Sequence, residues 1–271
     1  MGLGKQIRLK RLFGHPSGRL CSIAVDHFVG YQEGLPEGLR DLPRTIQQIV
    51  AARPDAVTMQ IGTATGCWPK HAGLVPLIIQ SIMGRPDDTC DQFLATPDDA
   101  LRLGADAFAT CAFVRGNTEG DHVRRVADFI RQARSWDMPV ILHIYPRRFH
   151  KDGRIEIVYE PDEIAWAVRC GIEVGADVIK VPYCGDVDSY RQIIQACPVP
   201  VVAAGGPKAS TLKDALAMAH AVVQSGASGM TIGRNVWGVP QITAAVVAFK
   251  AVVHDGASPD QALRQAGFST P

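Results

Sequence analysis

Aromatic residues are scarce in this chain, at 7%, and neither sign of charge dominates: 28 Lys and Arg stand against 27 Asp and Glu, a formal net charge of +1. That balance excludes a field of one sign over the molecule, and with it the electrostatic footprint of a nucleic-acid binder. With few aromatics, packing falls to aliphatic side chains and to 26 glycines. The first residues, Met1-Gly2-Leu3-Gly4-Lys5-Gln6, hold no apolar run of signal-peptide length, and Gln6 breaks the myristoylation pattern. The longest uncharged stretch, residues 215–233, contains His220, Gln224, Ser225, Gly226 and Ser228 and reads as helix, turn and strand rather than a membrane span. Seven cysteines, odd in number and without a C-x-x-C pair, are expected to be reduced thiols in a cytoplasmic protein. The eight histidines show no H-x-x-x-H or H-E-x-x-H spacing, so neither a metal nor another cofactor is expected.

What the chain has in quantity is apolar sequence, 46% of 271 residues, enough for one large core. Gly104-Ala105-Asp106, Gly175-Ala176-Asp177 and Gly226-Ala227-Ser228 each follow a helix-like segment and precede an apolar run. Glycine is what a helix needs just past its last turn, where the backbone goes left-handed. Arg53-Pro54-Asp55 is a fourth copy without glycine. The repeated unit is therefore helix, tight turn, strand. Strands are expected at residues 21–27, 56–60, 77–82, 106–114, 140–145, 177–181, 199–204 and 229–233, with helices such as 120–136, 162–174 and 211–225 between them. Such alternation implies parallel strands with right-handed crossovers, and eight units over this length predict a single (β/α)8 TIM barrel spanning residues 1–271, with residues 1–20 as a short N-terminal extension. A doubly wound open sheet is the alternative, but no G-x-G-x-x-G follows the first strand.

Function in such a barrel sits at the C-terminal ends of the strands, and period two says which side chains face inward. Aliphatic residues at 140, 142 and 144 turn His143 and Tyr145 inward. The same reading of the first, second and sixth strands turns Asp26, Gln60 and Lys180 inward. Lys180 is one ammonium on an otherwise apolar strand. Loss of solvation there would favour the neutral amine, which attacks carbonyls to form a Schiff base. Read from the strand alone, it is equally a lysine that reaches the rim or pairs with Asp26. Tyr145 and Asp26 are candidate proton carriers. His143 is a substrate ligand, a proton carrier or a satisfied barrel histidine.

The second signal is for phosphate. Ala204-Gly205-Gly206-Pro207-Lys208 follows the seventh strand and Gly233-Arg234-Asn235 the eighth, the two loops that commonly hold phosphate in barrels. Glycines allow close backbone approach, and Arg234 offers a charged fork. Arg147-Arg148 is too short for a nucleic-acid patch, but one of the two, Arg147 in the first instance, is a candidate for a second anionic group on the substrate.

Taken in order, Val25-Asp26-His27, Tyr145-Pro146-Arg147, Gly175-Ala176-Asp177-Val178-Ile179-Lys180, Tyr183-Cys184-Gly185-Asp186, Ala204-Gly205-Gly206-Pro207-Lys208 and Gly233-Arg234-Asn235-Val236-Trp237 resemble the archaeal-type class I fructose-bisphosphate aldolases, within the deoxyribose-phosphate-aldolase-like barrels. The resemblance implies Lys180 as the Schiff-base lysine, Tyr145 as the proton shuttle and Asp26 as its partner. It implies a phosphate cradle at Gly205, Gly206, Gly233 and Arg234; His27, Gln60, His143 and Arg147 are further candidate substrate contacts from their own positions. It implies a metal-independent aldolase acting on a phosphorylated sugar or ketone, with dihydroxyacetone phosphate as donor, in a homo-oligomer. Two positions depart from the bisphosphate aldolases: His143 stands where they carry Trp, and Pro182 where they carry a second Lys. Residues 63–90 also match poorly. An aldol-type transferase or thiolase-like acyl transferase using the same lysine is the nearest alternative, and a catalytically silent sugar-phosphate binding barrel is the alternative from another class.

Overall fold

The turn that repeats in the sequence is the joint that repeats in the structure. The computed structural model describes residues 1–27 and 34–268. Gly104, Gly175 and Gly226 have φ of +72°, +84° and +89°, and Arg53, in the copy that lacks glycine, has φ +49°. Three of these four turns deliver an acid that reaches back to the start of the preceding barrel strand; the Gly226 turn carries Ser228 in its place. Asp55 Oδ2 accepts from the Cys21 amide at 2.6 Å, Asp106 Oδ2 from Leu77 at 3.3 Å and Asp177 Oδ2 from Val140 at 2.9 Å. An N–H near a strand's start that meets no ladder acceptor needs another, and the carboxylate satisfies a donor that would otherwise be stranded.

In chain order the strands are β1 (Leu20–Ala24), β2 (Ala56–Gln60), β3 (Leu77–Gln80), β4 (Ile82–Gly84), β5 (Asp91–Phe93), β6 (Ala107–Val114), β7 (Val140–Phe149), β8 (Ile155–Ile157), β9 (Val178–Val181), β10 (Val201–Ala204) and β11 (Gly229–Ile232). The helices are α1 (Leu3–Leu12), α2 (Leu42–Ala51), α3 (Ile61–Cys67), α4 (Pro97–Arg102), α5 (Glu119–Arg134), α6 (Pro161–Val174), α7 (Val187–Gln195), α8 (Leu212–Gln224), α9 (Arg234–Trp237), α10 (Ile242–Asp255) and α11 (Pro259–Gln265). Eight parallel strands run in the order β6-β3-β2-β1-β11-β10-β9-β7, and a β6–β7 pairing closes the ring. The fold is the expected (β/α)8 barrel, with helices between the strands.

Period two sorts the side chains as expected. Ile23, Val57, Met59, Leu142, Ile144, Ile179 and Val181 pack outward with the helices in one buried cluster. Leu20, Ala56, Ile78, Ala107, Ala109, Ile141, Val178 and Val202 fill the barrel's interior, together with Leu12 from α1. Residues 1–20 thus lead with a helix that lies under the barrel and inserts one leucine as its floor. Lys5 Nζ to Asp177 at 2.9 Å and Arg11 Nη1 to Asp106 at 3.1 Å tie α1 to two of the repeated aspartates.

Four strand boundaries differ from expectation by two residues or more: the first strand ends at Ala24 rather than His27, and the other three differ for a physical reason. The third strand ends at Gln80 rather than Ile82, because the Gln80 carboxamide accepts from the Ser81 and Ile82 amides, and the chain leaves as the antiparallel β4–β5 hairpin. The fifth strand continues past Tyr145 to Phe149, where it pairs antiparallel with β8. The seventh begins at Val201 instead of Val199, because Pro200 has no N–H to give a ladder.

Candidate active site

The C-terminal mouth of the barrel opens on a cavity of about 780 Å³. Asp26, His27, Gln60, His143, Tyr145, Lys180, Gly205, Gly206, Gly233 and Arg234 all line it, so ten of the eleven residues singled out in the sequence come together. The eleventh, Arg147, does not. Its guanidinium is fully buried and turned away from the mouth, donating to Pro86 O at 2.5 Å, Asp88 Oδ1 at 2.7 Å, Thr118 Oγ1 at 2.5 Å and Arg115 O at 3.1 Å. The Arg147–Asp88 bond, with those from Thr118 and His122, outweighs the effect of burial and holds the Asp88 carboxyl down to about 2. Arg147 is therefore the anchor of the β4–β5 loop and not a substrate ligand. Replacing it with Met is expected to lower the unfolding free energy by on the order of 2–3 kcal/mol, the low end for a broken buried pair because Asp88 stays partly solvated. Equilibrium denaturation reads this directly, and an unchanged midpoint would remove the guanidinium from the loop's support.

Lys180 sits on β9 beside His143 on β7, the two paired in register, with Cys111 of β6 next in the same row. Its side chain is only 5% exposed. Burial lowers its pKa, with Asp26 opposing and Arg234 adding to the shift. Burial pushes the Cys111 thiol up to about 12, so it stays neutral beside the amine. Asp26 lies just past β1. Burial would raise its carboxyl, but the hydrogen bond from His27, then the charge of Lys180, hold it well below the usual carboxylate range. The mouth thus pairs an ionised carboxylate with a lysine pushed toward its neutral form.

Gln80, which the sequence reading passed over, organises this group. Its Oε1 accepts from the Ser81 amide at 3.0 Å and the Ile82 amide at 3.4 Å. That fixes the carboxamide's orientation, leaving Nε2 to face Asp26 Oδ2 at 3.1 Å and His143 Nδ1 at 3.2 Å. His143 Nδ1 is then an acceptor and its proton rides on Nε2. Burial, then the charge of Lys180, keeps His143 well below its ordinary value, which agrees with a neutral ring. The signal for Gln80 was its inward register opposite Gln60, hidden by the misplaced end of β3.

On the far side of the mouth, Arg234 Nη2 donates to Gly206 O at 3.0 Å. Asn235 braces the same loop, with Nδ2 donating to Gly205 O and Pro207 O, each at 2.9 Å, and Oδ1 accepting from Ala209 at 2.8 Å. The Gly205 amide is committed to Thr231 O at 2.8 Å, so it cannot serve a ligand as the sequence suggested. Gly233 is required for another reason: a Cβ there would lie 2.3 Å from the His27 ring. His27 is wedged between that glycine and the buried Trp237 ring, whose Nε1 donates to Ala24 O at 3.0 Å.

Among the described residues, no group of three His, Cys, Asp or Glu could hold a metal ion, and no helix is long and apolar enough to cross a membrane. A closed barrel whose mouth gathers a buried lysine, a tyrosine and an ionised aspartate is the framework of a lyase of the class I, Schiff-base aldolase type, and similarity to known proteins agrees. Residues 20–238 match the DeoC/LacD family aldolases, and the chain belongs to that family. It is 34% identical over 267 residues to a 2-amino-3,7-dideoxy-D-threo-hept-6-ulosonate synthase of Halobacterium salinarum, covering 98% of this chain and 97% of that one. It is 32% identical over 259 residues to a class 1 fructose-bisphosphate aldolase of the same species, covering 91% and 94%. The solved structure of an archaeal fructose 1,6-bisphosphate aldolase superposes with a TM-score of 0.80 at 27% identity, over 93% of this chain and all of that one.

Proposed function

We propose that the protein makes or cleaves a phosphorylated ketose through a Schiff base on Lys180, with dihydroxyacetone phosphate as the donor half. The observation that carries this reading is the placement of a buried, neutral-leaning lysine beside ionised Asp26 and Tyr145, in one cavity with Arg234 and the Gly205–Gly206 loop. In cleavage the neutral amine adds to the ketone carbon, and the carbinolamine loses water to give an iminium. Tyr145, assisted by Asp26, takes the proton of the C4 hydroxyl. The C3–C4 bond breaks, its electron pair moves into the iminium to form an enamine, and the aldehyde leaves. The proton returns to C3, and water releases the ketone and the free amine. The iminium is the electron sink, so these steps call on no cofactor. Condensation runs the same steps backward.

Both relatives' names support a ketone-handling reaction of this kind and leave the acceptor open, one naming an amino-substituted seven-carbon ulosonate and the other fructose bisphosphate. A product-resolved assay with dihydroxyacetone phosphate and a panel of aldehydes tests the reading. It predicts one new carbon–carbon-bonded product, and no condensation with any aldehyde would count against it. Arg234→Ala is expected to raise KM for phosphorylated ketoses about ten- to a hundred-fold, the scale of a lost charge-assisted contact, and to leave unphosphorylated analogues nearly unchanged. Equal effects on both would remove Arg234 from the phosphate site.

A further inference from the structure

The cavity has two ends. β3 and β10 stand opposite each other in the eight-stranded ring, with three strands between them on either side. The glycine loop and Arg234 follow β10 and β11, so the loop after β3 overhangs the other end. That loop, between β4 and β5, brings Arg85 to the cavity wall. The described cationic side chains on that wall, histidines aside, are Arg85, Lys180 and Arg234. The proposed function gives roles to the last two and none to the first.

The Arg85 backbone is held in place, yet its side chain has no partner among the described residues. Its amide donates to Cys90 O at 2.9 Å and its carbonyl accepts from Asp88 at 3.1 Å, closing the loop. Asp88 is clamped in turn by the fully buried Arg147. The Arg85 guanidinium makes no ion pair or hydrogen bond among the described residues, and its Nε is buried with its hydrogen-bonding capacity unmet. Asp87, the acid on the same loop, turns Oδ1 back to the Thr89 amide at 3.1 Å and to the Thr89 hydroxyl at 2.7 Å. An unmet guanidinium on a braced loop, at the wall of a cavity, is a site for an anion.

We propose that Arg85 binds the anionic group of the acceptor aldehyde, a carboxylate or a phosphate, and so selects an anionic acceptor over a neutral one. This rests on the aldol reading above. It transfers to Arg85 the second-anion role expected of Arg147, and it makes Arg147 a positioning residue acting through the loop. The substrate then spans the mouth: donor phosphate at the β10–β11 side, acceptor anion at the β3 side, and Lys180 between.

Arg85→Ala tests this in the full chain against three acceptors: glyceraldehyde 3-phosphate, succinate semialdehyde and neutral glyceraldehyde, each with dihydroxyacetone phosphate. For the preferred anionic aldehyde, KM is expected to rise roughly ten- to a hundred-fold. kcat/KM for glyceraldehyde is expected to hold within about twofold, and Arg85→Lys to recover most of the loss because the charge returns without the fork. Whichever anionic arm loses more identifies the group as phosphate or carboxylate. Equal losses on neutral and anionic acceptors, or none on either, would overturn the assignment. Two further readouts separate it from the reaction it serves. Borohydride trapping of dihydroxyacetone phosphate on Lys180 should be unchanged in Arg85→Ala, and a wild-type protein that fails to trap indicts the Schiff-base reading rather than Arg85. Calorimetric binding of glyceraldehyde 3-phosphate and of succinate to the unreacted protein tests Arg85 without turnover; affinities for both that do not differ between wild type and Arg85→Ala would sink the proposal.

Discussion

Lys180→Met is expected to lower turnover by at least about 10⁴-fold, the scale on which loss of a covalent nucleophile acts, while the protein stays folded. Lys180 is buried to 5% exposure on a strand whose neighbours are apolar, and Met fills the same unbranched space without an ammonium to desolvate. Removing the charge also changes the neighbours. Asp26 loses the cation that helps hold its carboxyl down, although the His27 hydrogen bond remains. His143 loses a charge that depresses its pKa, although burial, the larger cause, persists. The variant should therefore keep an ionised aspartate and a neutral histidine, and lose the reaction because the amine is gone. Turnover within tenfold of wild type would show that another group carries the carbonyl chemistry.

Tyr145→Phe should separate the two halves of the reaction. Its ring stands 6.0 Å from that of Phe113, its register partner on β6, and both line the cavity. Phenylalanine keeps that packing and deletes the hydroxyl alone. Ketose phosphate should still bind and still be trapped on Lys180, whereas turnover falls about 10²–10⁴-fold, the usual range for a lost acid–base group. A near wild-type rate would transfer the proton to Asp26, His143 or water and leave Tyr145 a packing residue. Loss of trapping as well would mean that the hydroxyl acts in forming the carbinolamine. Both rates belong on one preparation.

The barrel was legible because four of its eight joints repeat one local signal. A left-handed turn favours glycine, present in three of the four repeated joints, an aspartate after the turn caps the preceding strand in three of them, and alternating aliphatic residues declare which face meets the helices. Those same alternations turned Asp26, His143, Tyr145 and Lys180 to the mouth. What escaped depends on side chains that act across the sequence. Gln80 bends its own strand end with its carboxamide, and Ile82-Met83-Gly84 continues the apolar run beyond that bend, so the strand looked longer and its last inward residue was lost. Arg147 continues the inward phase of β7, but the strand runs on into a hairpin, and the guanidinium tucks under a loop some sixty residues earlier in the chain (Arg147 Nη1 to Pro86 O, 61 positions apart). The floor helix was equally hidden: α1 keeps Leu3 and Ile7 exposed and buries Leu12 alone, so no apolar stripe announces it.

The most direct test of the account is borohydride reduction of the wild-type protein in the presence of dihydroxyacetone phosphate, followed by peptide mass mapping. One reduced ketose-phosphate fragment per chain, located on Lys180 and absent from Lys180→Met, is the predicted result. An adduct on Lys70 or Lys208, or no adduct while carbon–carbon cleavage proceeds, would contradict it.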